Sequence, residues 1–168
     1  ISLDPGGKAK KKKADTYVCA WGHWEGDLQG KYENEENIKY WVDGMKGWNA
    51  KIISQGNGKY AQQPVNPNDV LDFVLELIQD LGGRNFISEI VYDQFENTAA
   101  IATLQSLGVP AVETFFSNKY KSEMYGNYLQ KLIAGQVYMY GIDIDGSIER
   151  WKVENKYLQR VTQGNYTF

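Results

Sequence analysis

The chain has 168 residues, 42% of them hydrophobic and 14% aromatic, which suits one ordinary domain with a buried core. A formal net charge of −3 argues against a generally basic nucleic-acid coat protein, although it leaves room for a local basic patch. The single cysteine, Cys19, cannot form an internal disulfide, so we expect a core thiol in a reducing compartment. No apolar run approaches the ~20 residues that a membrane-spanning helix needs.

The first part of the chain carries the signals of β-strands. Residues 1–4 predict a strand that ends at the turn Pro5-Gly6-Gly7, and a lysine-rich loop follows. Alternating apolar and polar residues predict a strand over 15–24. A further strand is predicted over 38–48, with Asp43 as an alternative end, and the segment QGNGK favours a small hairpin. Three opening strands joined by short connections imply an antiparallel meander.

The hydrophobic period changes near Asn68, which is a plausible N-cap after Pro67. Apolar residues then recur at three- and four-residue spacing, which predicts an amphipathic helix over 70–81 that stops at Gly82-Gly83. The residues of that spacing are Val70, Leu71, Val74, Leu77, Ile78 and Leu81.

Strands and helices alternate through the rest of the chain. We predict strands over 86–93, 109–116 and 136–144, with helices over 96–108, 118–135 and 147–161. The helix over 118–135 is expected to pack through one apolar side, formed by Met124, Tyr125, Tyr128, Leu129, Leu132 and Ile133. The predicted fold class is therefore α/β: a mixed sheet with antiparallel strands 1–3, then parallel strands with crossover helices, flanked by helices.

Two aspartates lie at the carboxyl ends of predicted strands, where sites form in open α/β sheets. Asp4 ends the first strand and Asp93 ends the strand over 86–93. If these strands are neighbours and parallel, the two carboxylates converge and repel one another unless a cation lies between them. Mg²⁺ or Mn²⁺ prefers such oxygen ligands, and two ions roughly 3.5–4 Å apart could clamp a scissile phosphate. The neighbouring lysines would then hold the phosphate backbone; they are Lys8, Lys10, Lys11, Lys12 and Lys13.

Simpler interpretations stay open for each of these residues. An Asp before Pro-Gly-Gly is often only a turn former, and Asp93 could cap the following helix. A lysine run is more often a solvated loop than a binding surface. His23 has no acid or nucleophile motif near it in the sequence, so we interpret it as a strand-face residue rather than a base. One Cys and one His cannot build a structural zinc site.

Three segments together resemble the nuclease domain of the large terminase subunit of tailed bacteriophages. They are ISLDPGG, IVYDQFENTAAIATLQSLGVPA and FFSNKYKSEMYGNYLQKLIAGQVYMY, and the resemblance runs along nearly the whole chain. The family pattern is a strand ending in Asp-Pro-Gly, a later strand ending in Tyr-Asp, a helix closed by Leu-Gly-Val/Ile, an aromatic-rich strand, and a helix that leads into a short Gly-x-Val strand. These nucleases are similar to ribonuclease H and RuvC.

The resemblance implies a single nuclease domain over 1–168 that cleaves double-stranded viral DNA during genome packaging, with Mg²⁺ or Mn²⁺ at a two-metal site. Asp4 matches the family's first acid and Asp93 its second. An ATPase domain of the same protein would precede this one, and the implied partners are DNA, the small terminase subunit and the portal, without a membrane. The implied location is the host-cell cytoplasm, at the viral prohead.

The family's third acid has no clear match in this sequence. It would lie beyond Phe168, and Asp143 and Asp145 are the nearest candidates within the chain, although DIDG is typical of a turn. Two other functions stay open. One is a DNA-binding or motor-docking module that has lost cleavage, and the other is a RuvC-type junction resolvase.

Overall fold

The computed structural model describes residues 1–4, 16–26, 37–93 and 97–139, together with the backbone of 162–163 and 166–167. Ten strands and three α-helices are assigned within these residues. The strands are β1 Ser2–Asp4, β2 Thr16–Glu25, β3 Lys39–Asn49, β4 Lys51–Gly56, β5 Lys59–Gln63, β6 Ile90–Asp93, β7 Ala111–Thr114, β8 Val137–Met139, β9 Thr162–Gln163 and β10 Tyr166–Thr167. The helices are α1 Pro67–Asp80, α2 Thr98–Ser106 and α3 Asn118–Ile133.

The main sheet is mixed, as the sequence predicts. Its strand order is β7-β6-β1-β2-β3-β8. Strands β1 to β3 are antiparallel, whereas β1 pairs with β6, β6 with β7 and β3 with β8 in parallel. The α/β class with antiparallel strands first and parallel strands later is therefore confirmed.

The chain divides into two compact units, and β2 and β3 each contribute to both. Unit 1 comprises residues 1–19 and 47–115, and unit 2 comprises residues 20–46 and 116–168. Every buried apolar side chain among the described residues belongs to unit 1, and Cys19 is one of them as predicted. These side chains are Leu3, Tyr17, Cys19, Val70, Val74, Leu77, Ile78, Ile90, Tyr92, Ile101, Leu104, Val109 and Ala111.

Helix α1 follows the predicted period, but its N-cap is not the predicted residue. Val70, Val74, Leu77 and Ile78 are buried on one side of the helix. The cap is Asn66, whose side chain accepts a hydrogen bond from the Asn68 amide, and Pro67 occupies the first helical turn. Proline suits that position because its missing N–H has no partner there and its φ is already helical.

The predicted hairpin is present in unit 1 as β4 and β5, with the pair Gly56–Lys59 closing the turn. Asn57 and Gly58 both have positive φ, 52° and 73°, which is the conformation that a two-residue type I′ turn requires. By contrast, the strand predicted over 86–93 begins only at Ile90, because Arg84–Phe86 forms a 3₁₀ turn.

Helix α3 in unit 2 differs from the sequence expectation. We predicted a packed apolar side, yet none of its side chains is buried, and Leu129 and Ile133 are 42% and 78% exposed. One contact of the helix is made by a residue outside that apolar side: Lys131 Nζ lies 5.5 Å from the centroid of the Tyr40 ring. No described helix combines the length and hydrophobicity that crossing a bilayer requires.

Candidate functional site

Asp4 and Asp93 end neighbouring parallel strands of unit 1. In the ladder between β1 and β6, Ser2 pairs with Val91 and Leu3 with Tyr92. Asp4 and Asp93 are the next residue on each strand and the last of both. Adjacent strands lie about 4.8 Å apart, so the two residues stand side by side at the carboxyl edge of the sheet. The adjacency that the sequence argument required is therefore present.

The two carboxylates face away from the core of unit 1. Leu3 and Tyr92 are each 1% exposed, whereas Asp4 is exposed and Asp93 half-buried. Successive side chains of a strand point to opposite faces of the sheet. Because Leu3 and Tyr92 point into the core at the same register, the residues that follow them, Asp4 and Asp93, point to the other face. A hydrated ion or an anionic ligand could reach this position from solvent.

This pair of carboxylates suits a hard divalent ion in its chemistry, and it supplies part of a coordination shell. Mg²⁺ is commonly bound by one or two carboxylates together with water and substrate phosphates. Within the described residues no group of three or more His, Cys, Asp or Glu side chains is placed to hold a metal ion. A third acidic ligand would therefore come from elsewhere in the chain or from another molecule.

Several residues predicted for the site lie outside the described residues. They are the five lysines Lys8, Lys10, Lys11, Lys12 and Lys13, and the two candidates for the third acid, Asp143 and Asp145. Their roles stay predictions.

The side chain of Asn97 connects β2 to the end of β6, all within unit 1. Asn97 is 4% exposed and its Nδ2 donates to the main-chain oxygen of Asp93 at 3.2 Å. Its Oδ1 accepts from the hydroxyl of Tyr17 at 3.1 Å. Burial raises the pKa of Tyr17, with further contributions from Tyr92, Cys19 and the charge of Asp4, so this hydroxyl remains a donor. The network links residues 80 positions apart, which the sequence alone did not reveal.

Asn97 also occupies the N-cap position of α2, yet its side chain makes no capping hydrogen bond. An Asn at this position commonly bonds the helix amides and contributes about 1 kcal/mol to stability. Here the amide group is used for Asp93 and Tyr17 instead. Asp93 is not the cap of α2, so that simpler interpretation of Asp93 is wrong.

A second polar cluster lies in unit 2, on β2, β3 and β8. His23 Nδ1 lies 2.7 and 2.9 Å from the two carboxylate oxygens of Asp43. The His23 ring is parallel to the Trp41 ring at 6.1 Å between centroids, and Trp41 stacks on Tyr138 at 4.9 Å. His23 lies on β2, and the structure brings to it an acid, Asp43, that the sequence around His23 did not indicate.

The hydroxyl of Tyr92 is buried and has no hydrogen-bond partner in the described structure. We expect Tyr92→Phe to raise the free energy of unfolding by about 1 kcal/mol at neutral pH, since it removes an unsatisfied polar group. Burial, with a smaller effect of Cys19, raises the pKa of Tyr92 to about 12. Between pH 10 and 12 the unfolded chain therefore loses this proton while the folded chain keeps it, which lowers stability as pH rises.

Urea unfolding of both proteins from pH 9 to pH 12 tests this expectation. The stability advantage of Tyr92→Phe should grow by about 2 kcal/mol across that interval, because only the wild type carries the raised pKa at this position. A constant difference, or a variant less stable than wild type at neutral pH, would show that the hydroxyl is satisfied.

No protein-family model, no curated protein and no solved structure matches the chain. Function therefore has to be argued from the site itself.

Proposed function

We propose that the chain is a metal-dependent DNA endonuclease, the nuclease domain of a phage large terminase subunit with a ribonuclease H-like arrangement of its sheet. One observation carries the proposal: Asp4 and Asp93 end adjacent parallel strands at the same register, with Asp4 exposed and Asp93 half-buried. This is the position at which α/β sheets form their sites. The mixed strand order and the three sequence segments that resemble terminases support the same conclusion.

In this mechanism Asp4 and Asp93 hold Mg²⁺ or Mn²⁺ at the edge of the sheet. When bound by these two residues, Mg²⁺ or Mn²⁺ would supply Lewis-acid activation of a water and of the phosphodiester. The contribution of the chain is geometric and electrostatic. Two adjacent strands of one sheet carry the carboxylates at the same register, and two carboxylates that converge favour binding of a cation because they repel one another without it.

The lysines between Lys8 and Lys13 follow Asp4 by a few residues, so they are the proposed contacts to the DNA backbone. Contacts to phosphates position a duplex without reading its bases, and we therefore expect low sequence preference. Each phosphate that is neutralised releases counterions, so the affinity for DNA should fall steeply as the salt concentration rises. The proposed setting is the host-cell cytoplasm at the prohead, with the ATPase domain, the small subunit and the portal as partners.

Digestion of supercoiled plasmid tests the proposal. We expect nicked and linear DNA when Mn²⁺ is present, and intact DNA when EDTA is added in excess. Cleavage of the plasmid at many positions would agree with contacts to the backbone only.

Two outcomes of the same assay would favour the alternatives. DNA binding without cleavage under all metal conditions would favour a catalytically silent DNA-binding or motor-docking module. Cleavage confined to a synthetic four-way junction, with plasmid untouched, would favour a RuvC-type resolvase. Each of these results contradicts the terminase proposal.

A further inference from the structure

The end of β6 receives a hydrogen bond from the interior of unit 1. Asn97 donates to the main-chain oxygen of Asp93, and Tyr17 donates to Asn97. Tyr17 and Asn97 are 5% and 4% exposed, so water competes poorly for either hydrogen bond. The bond to the Asp93 oxygen restrains the peptide group that sets the direction of the Asp93 side chain.

The two hydrogen bonds also fix which way the Asn97 amide points. A protonated Tyr17 hydroxyl, lying 3.1 Å from Oδ1, donates to it and leaves Nδ2 for the Asp93 oxygen at 3.2 Å. The oxygen and nitrogen of the Asn97 side chain have no second role at the start of α2, because this side chain makes no capping hydrogen bond to the helix. The Asn97 side chain is buried, and it bonds to the end of β6 instead of capping α2. This arrangement indicates that the position of the Asp93 backbone matters at the end of that strand.

We infer that the buried pair Tyr17–Asn97 positions Asp93 for cation binding, so that both are positioning residues of the site; this inference rests on the proposed function. Tyr17 acts through Asn97, and Asn97 acts through the backbone of Asp93. Neither side chain touches the ion. A metal ligand held by its surroundings binds more tightly than one that must be ordered on binding, because the ordering cost has already been met in the free protein.

The chain offers a matched control for this inference. Tyr17→Phe and Tyr92→Phe remove the same atom from two buried tyrosines of unit 1, which are 5% and 1% exposed. The Tyr17 hydroxyl donates to Asn97, which in turn donates to Asp93, whereas the Tyr92 hydroxyl has no hydrogen-bond partner among the described residues. A general effect of losing a buried hydroxyl would appear in both variants.

The test is Mn²⁺ affinity, measured by isothermal titration calorimetry on proteins whose folding is checked by circular dichroism. We expect Tyr17→Phe to weaken Mn²⁺ binding about tenfold, the lower range for groups that support a metal ligand, and Tyr92→Phe to stay within twofold. Asn97→Ala should weaken binding at least as much. The double variant should match Asn97→Ala, because the effect of Tyr17 is transmitted through Asn97.

The outcomes separate this inference from the proposed function. If the wild type binds Mn²⁺ and cleaves DNA while Tyr17→Phe and Asn97→Ala bind within twofold of it, the positioning role is wrong and the function stands. Equal weakening in Tyr17→Phe and Tyr92→Phe would also contradict the positioning role. A wild type that neither binds Mn²⁺ nor cleaves overturns both. Should Tyr17→Phe fail to fold, Asn97→Ala carries the test alone.

Discussion

Replacing Asp4 or Asp93 by Asn should reduce the rate of Mn²⁺-dependent plasmid cleavage by at least about 100-fold. This loss should exceed the loss caused by replacing a residue that only supports a metal ligand. Asn keeps the size of Asp but is neutral, and an amide oxygen binds a hard divalent ion far less strongly than a carboxylate. Because the two residues end adjacent strands at one register, each substitution should have a similar effect. Initial rates at saturating DNA measure it.

The folded state should survive both substitutions, which separates a loss of chemistry from unfolding. Asp4 and Asp93 are the last residues of their strands and neither belongs to the buried core of unit 1, so an amide of the same size should leave the core packing intact. Asp72→Asn, on the exposed side of α1, is the matched control and should cleave like wild type. Cleavage that persists in both Asp4→Asn and Asp93→Asn would remove the proposed site.

Gly22→Ala should be the most destabilising single substitution in the described part of unit 2. A Cβ on Gly22 would meet the carbonyl oxygen of Trp41, a backbone atom of the neighbouring strand β3. A side chain can rotate away from such a contact, but a backbone carbonyl can move only if the two strands separate. We expect a loss of about 3 kcal/mol or more in the free energy of unfolding, the upper range for overpacking.

Two other glycines of unit 2 should show smaller or opposite changes in the free energy of unfolding when they are replaced by Ala. At Gly44 a Cβ would meet the indole ring of Trp21, which can shift, so Gly44→Ala should cost less than Gly22→Ala. At Gly126, inside α3, a Cβ would meet no atom within 4 Å, so Gly126→Ala should stabilise the helix by about 1 kcal/mol. Urea unfolding of the three variants gives the order, and a Gly22→Ala protein as stable as wild type would show that β2 and β3 are farther apart than described.

Local chemistry made parts of this fold predictable from the sequence. The apolar spacing of α1 and the Asn57-Gly58 turn each specify their structure within a few residues. Strand ends were harder: the segment FISEIVYD predicted a strand from residue 86, but Phe86 is 75% exposed in a 3₁₀ turn. Residue types show that a strand is possible, while the partner strand decides where pairing begins.

Features that depend on distant contacts could not be predicted in the same way. An amphipathic pattern in α3 shows that one side is apolar but not what covers it, and in this structure that side is exposed. Asp4 and Asp93 could be proposed from strand ends because the rule for α/β sheets is general. Tyr17 and Asn97 could not, since their contact forms only when β2, β6 and α2 meet in unit 1. The sequence placed Asn97 inside the helix predicted over 96–108, whereas the structure begins that helix at Thr98 with Asn97 at the N-cap position.

Diffraction from crystals soaked in MnCl₂, with data collected for anomalous scattering, tests the central claim most directly. The account predicts an anomalous peak between Asp4 and Asp93, with a carboxylate oxygen of each residue roughly 2.2 Å from the ion, near the distances of hard divalent ions. It is contradicted if the two side chains point to separate places and no ion lies between them at saturating Mn²⁺.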